Sequence, residues 1–127
     1  MQLTGRYCEN GIDLAGDGEA INFLAQAIRQ THRTNQLFLH KPKSRLPDPY
    51  DGFALSLEIR VTNSLVCISR CDDQIGIAGS SDLLEILAQN VGFVTTNSGS
   101  NHLHIEFYPS HFFLDPESIP LVITRLD

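Results

Sequence analysis

The sequence predicts an α+β fold: a two-layer sandwich with a mostly antiparallel sheet of about six strands and two helices on one face. Three observations predict it. Two segments 63 positions apart read almost in parallel, "IDLAGDGEAINFLAQ" from Ile12 and "IGIAGSSDLLEILAQ" from Ile75, identical at six of fifteen positions. Each passes from a short alternating run ending in glycine to a stretch with helical apolar spacing. Each is followed by two further alternating runs, "LSLEI" (55–59) and "VCISRCD" (66–72) after the first, "LHIEF" (103–107) and "LVITRLD" (121–127) after the second. The chain therefore reads as a single domain over residues 1–127, built from two β-α-β-β pseudo-repeats at about 11–73 and 74–127.

The elements follow in order. "GIDLAG" is a short strand, after which Asp17 supplies a helix cap and Glu19 an acidic first turn. Ile21, Leu24, Ala25 and Ile28 recur at helical spacing and define a buried face. Residues His40 to Gly52, "HKPKSRLPDPYDG", carry three prolines and a small basic cluster of Lys41, Lys43 and Arg45, and read as a long functional or mobile loop. Leu55, Leu57, Ile59 and Val61 then face the core of a hairpin turned at Thr62-Asn63-Ser64. In the second copy Ser80 or Ser81 caps a helix that buries Leu83, Leu84, Leu87, Ala88 and Val91. A short linker, "TTNSGSN", leads to the "HLHIE" strand, and "YPSHFFLDPES" (108–118) connects it to the last strand. Phe112, Phe113 and Leu114 in that connection either pack over the end of the sheet or are exposed for a partner. Both helices need a sheet face to cover their apolar stripes, which leaves the opposite face at least partly solvated.

Composition narrows the function. With 15 acidic against 9 basic residues and a formal charge of −6, the chain gains nothing from a phosphate backbone. A protein partner, especially a basic one, suits that sign better than nucleic acid. Cys8, Cys67 and Cys71 lack CxxC spacing, and Cys67 and Cys71 on one strand would be about 13 Å apart, beyond disulfide reach. A reduced, cytoplasmic setting follows. The N-terminal stretch "MQLTGRYCENG" lacks the basic and apolar regions of a secretion signal, and no apolar run approaches the ~20 residues of a membrane span. There is no GxSxG elbow and no SxxK, so no catalytic residue is expected. The Gly16-Asp17-Gly18 turn places Asp17 and Glu19 where they would repel a phosphate, so no cofactor is expected either.

The stretch "HLHIE" poses the sharpest question. Strand alternation sends His102, His104 and Glu106 to one face and Leu103 and Ile105 to the other. Two imidazoles and a carboxylate on alternate positions, with His111 as a further candidate, could ligate zinc or ferrous iron. The same three residues could equally form a partner-contact face or an ordinary solvated strand surface. Glu58 with Arg70 and Glu106 with Arg125 further suggest a cross-strand ion pair in each copy. Free sheet edges leave a homodimer open as well.

A resemblance bears on the choice. "IAGSSDLLEILA" (77–88), "HLHIE" (102–106) and "SIPLVI" (118–123) follow the pattern I-x-G-x-x-x-x-L-x-x-L-A, H-x-H-[LIV]-[DE] and S-x-P-L-V-I. In this the second half of the chain resembles small immunity proteins of bacterial polymorphic-toxin systems. The resemblance implies a cytosolic, non-enzymatic protein that binds and neutralises a cognate toxin. The partner-binding candidates are then His102, His104, Glu106, Phe112 and Phe113.

Overall fold

The computed structural model describes residues 2–43, 45–96 and 101–127. The chain is α+β, with elements in the order β1 (Thr4–Cys8), β2 (Gly11–Gly16), α1 (Gly18–Gln30), β3 (Thr34–Phe38), β4 (Gly52–Ala54), β5 (Ser56–Val61), β6 (Cys67–Cys71), β7 (Gln74–Gly79), α2 (Ser81–Thr96), β8 (His102–Ile105) and β9 (Leu121–Arg125). They form not one sheet of six strands but two mixed sheets, β4-β1-β2-β9-β8 and β3-β5-β7-β6. The difference has two causes. "TGRYC" and "TNQLF" pair as strands although neither has a clean apolar alternation. β5 and β6 also do not form the expected hairpin. β7 lies between them, parallel to β5 and antiparallel to β6. Four of the expected linker residues, 97–100, lie outside the described residues.

One arrangement occurs twice. β2 runs parallel to β9 with Ile12 opposite Leu121 and Leu14 opposite Ile123. β7 runs parallel to β5 with Ile75 opposite Leu57 and Ile77 opposite Ile59. Each parallel pair is flanked by antiparallel neighbours, β1 and β8 in one sheet and β6 and β3 in the other. By position, "LSLEI" therefore corresponds to "LVITR", and "HLHI" to "TNQLF". The eight paired residues are all at most 1% exposed and share one core with Leu24 of α1 and Leu87 of α2.

The recurring Ala-Gly has a steric reason. A Cβ on Gly16 would stand 2.8 Å from the Ala20 Cβ, and one on Gly79 2.9 Å from the Val66 Cγ2 and 3.0 Å from its Cα. Each strand passes into its helix at a point where another part of the chain lies too close for a side chain.

The helix ends are tied by short polar contacts. Asp17 Oδ1 accepts from the Ala20 amide at 2.7 Å, and Asp127 Oδ1 from the Gly18 amide at 3.1 Å. These carboxylates favour the positive end of α1. Ser80 Oγ accepts from the Leu83 amide at 3.4 Å. At the other end of α2, Arg125 Nη1 donates to the carbonyls of Val94 and Thr95 at 3.0 and 3.4 Å. The closing strand thus secures both helices. Among the described residues no helix is long and apolar enough to cross a membrane.

The two helices pack on each other, and Arg29 Nε donates to both Glu85 carboxylate oxygens at 3.0 Å. Hydrogen bonding from Arg29, with its charge added, holds the Glu85 carboxyl below its ordinary value. A depressed carboxylate contributes stability that is present above its unfolded value and lost as pH falls through the folded one. Glu85→Gln is therefore expected to melt below the unsubstituted protein at neutral pH, and the gap should close in acid below the ordinary carboxylate range. Thermal melts across a pH series measure it, and a gap that persists in acid would refute the pairing.

Candidate partner-binding face

The outer face of the five-stranded sheet carries a row running Phe53, Arg6, Asp13, Val122, His104, and a second row Thr4, Ala15, Thr124, His102. Its middle is polar and covered. Arg6 donates to Asp13 Oδ2 from Nη2 at 2.8 Å and from Nε at 3.2 Å, and to the Asp48 carbonyl at 3.3 Å. The same guanidinium lies 4.5 Å from the centre of the Tyr50 ring. Asp13 is 3% exposed, and its second oxygen accepts from the Thr124 hydroxyl at 2.9 Å. Partial burial, with the Asp13 charge added and Arg6 opposing, raises the Tyr50 phenol above its usual value. The proline-rich segment read as a functional or mobile loop is thus fastened across the sheet at Asp48 and Tyr50.

His102 and His104 lie at the uncovered margin of this face, on edge strand β8, and both are exposed. His102 Nδ1 is 3.5 Å from the Thr124 hydroxyl, which links it to the Asp13 cluster. The two imidazole centroids are 6.5 Å apart, and Glu106 falls just past the strand. Among the described residues no three His, Cys, Asp or Glu side chains gather as metal ligands would.

The segment after β8 is built around His111. Tyr108 to His111 form a turn closed by the His111 amide on the Tyr108 carbonyl at 2.9 Å, with Ser110 in the left-handed region at φ 77°. His111 Nδ1 accepts from the Phe113 and Leu114 amides at 3.3 and 3.2 Å, so this nitrogen carries no proton. The imidazole packs 4.6 Å from the Tyr108 ring and 4.5 Å, edge on, from Phe113.

Phe113 and Leu114 are 5% and 0% exposed. The chain then runs beside β6: Val66 N to Phe113 O is 2.8 Å, Asp115 N to Val66 O 2.7 Å and Ile119 N to Ile68 O 2.8 Å. The segment closes part of a sheet edge that would otherwise present unpaired backbone groups. Phe113, a candidate contact in the sequence, belongs to the core. Phe112 and Tyr108 are 67% and 56% exposed.

Between β8, α2 and this segment lies an open cleft of about 220 Å³, whose lining includes Asn90, His104, Glu106, Tyr108, His111 and Phe113. Gly52, Tyr7, Ile12, Leu121 and Ile105 form one row across the sheet, and exposed Asp51, Glu9 and Glu106 follow or precede that row in the chain. Spacing did not single out Tyr108 as a site residue. The Pro-Ser pair beside it is the turn signal that could have drawn attention to it.

The expected Glu58–Arg70 and Glu106–Arg125 pairs do not form. Glu58 shares a face with Ser69, whereas Arg70 lies opposite Ile75 on the other face and stacks 4.1 Å from the Tyr7 ring. Arg125 pairs with Asp127 at 3.5 Å, at the opposite end of the sheet from Glu106.

Residues 74–126 match the family model Immunity protein 32. The match spans β7, α2, β8, the His111 segment and β9. No curated protein matches the chain.

Proposed function

We propose that this chain is a cytoplasmic, non-enzymatic immunity-type protein that binds a cognate protein toxin and blocks it. One observation carries the reading: the match to Immunity protein 32 covers the residues that build the cleft and its exposed aromatics. The contact face comprises His102, His104 and Glu106 with Tyr108 and Phe112. His111 and the buried Phe113 hold the aromatic pair outward before binding, which lowers the ordering cost of association. The acidic balance, −6 overall, favours a basic toxin and speeds encounter with it. The chain is a single domain of two pseudo-repeats, a reading supported by the matching parallel pairs in the two sheets.

The test is expression of any toxin-like protein encoded beside this one, with and without this chain. Rescue of growth together with co-purification of the two proteins is the expected result. Absence of both for every such neighbour would overturn the reading.

A further inference from the structure

Resting on that reading of a protein partner, we infer that the cleft between β8 and the His111 segment receives an arginine side chain of the partner. The walls have the required chemistry. Tyr108 and His111 supply rings, backed by the buried Phe113, and Glu106 supplies a carboxylate. The His111 ring is held in place by the Phe113 and Leu114 amides on its Nδ1. A guanidinium is planar and weakly hydrated, stacks on aromatic faces and offers paired donors to a carboxylate. A cleft of about 220 Å³ suits one long side chain rather than a folded element.

The molecule already uses this chemistry twice. Arg6 stacks on Tyr50 at 4.5 Å and Arg70 on Tyr7 at 4.1 Å, so both of those guanidinium–tyrosine sites are filled from within. The cleft offers a tyrosine and a carboxylate, and among the described residues no arginine of the chain lines it. Exposed Glu106, in the lining itself, attracts a cation to the cleft.

The probe is N-acetyl-arginine N-methylamide, titrated into the full chain and followed by NMR, with the citrulline analogue as an uncharged control of the same shape. Shifts confined to Asn90, residues 103–106 and 108–113 are expected, with little response to citrulline. Glu106→Gln should weaken the response several-fold. Tyr108→Phe should keep it and Tyr108→Leu reduce it. No response, an equal response to citrulline, or shifts centred elsewhere would overturn the inference.

A captured toxin separates this inference from the reading beneath it. Glu106→Gln should weaken that complex about tenfold. A toxin bound equally well by Glu106→Gln and Tyr108→Leu removes the arginine cleft and leaves the immunity function standing. An arginine response in the cleft with no toxin captured from any neighbour does the reverse.

Discussion

Asp13→Ala is expected to lower stability by about 3 kcal/mol and to release the proline-rich segment from the sheet. Asp13 is buried, and its two oxygens serve different elements: one takes the Arg6 guanidinium, the other the Thr124 hydroxyl. Removing the carboxylate leaves Arg6 without its counter-ion and takes from Thr124 its 2.9 Å acceptor. Because the Arg6 side chain is 30% exposed, water recovers part of the loss, which puts the effect at the low end for a broken buried pair. Arg6 also contacts Asp48 and Tyr50, so its release loosens the cover over the sheet. Asp13→Asn keeps an oxygen for Thr124 but not the charge and should cost less. Urea unfolding measures the loss, and faster proteolysis within residues 45–52 measures the release. An Asp13→Ala protein within about 0.5 kcal/mol of the unsubstituted one would refute the role given to this cluster.

Much of this was legible in the chain, for physical reasons that vary by element. The helices could be read because one residue decides their start and 3.6-residue spacing decides their face: Asp17 caps α1, and Ile21, Leu24, Ala25 and Ile28 are buried. The glycines before the helices were visible as a repeat, although the close approach that requires them depends on distant Val66 in one case. Strand partners were harder. "LSLEI" and "LHIEF" look alike because both alternate, and alternation reports which face a residue takes, not which neighbour its strand has. Hence β5 was matched with β8, whereas its place in the sheet corresponds to that of β9. β1 and β3 were missed because "TGRYC" and "TNQLF" mix polar and apolar positions, and β4 because "GFA" is only three residues long. In the candidate site, Leu103 and Ile105 were recognised as core-facing, but two adjacent phenylalanines cannot reveal which one is inside. The backbone amides of Phe113 and Leu114 on His111, and the pairing of the next residues with β6, decide it.

That decision predicts opposite behaviour for neighbouring residues. Leu114→Ala is expected to cost about 3 kcal/mol, since Leu114 is fully buried and bridged to Val66 at the edge of the four-stranded sheet. The loss should also free the segment over β6 and spread the His111 cluster, so partner binding should weaken through disorder of the face. Phe112→Ala removes a ring that is 67% exposed and should change stability by no more than about 0.5 kcal/mol. If Phe112 is a contact, binding of a captured toxin should still fall about tenfold or more, as for a central aromatic anchor. Chemical denaturation and affinity measured on both variants separate a residue that builds the proposed face from one that would make the contact. Equal destabilisation by the two substitutions would contradict the burial that distinguishes them, and a Phe112→Ala protein with full affinity would move the contact away from this segment.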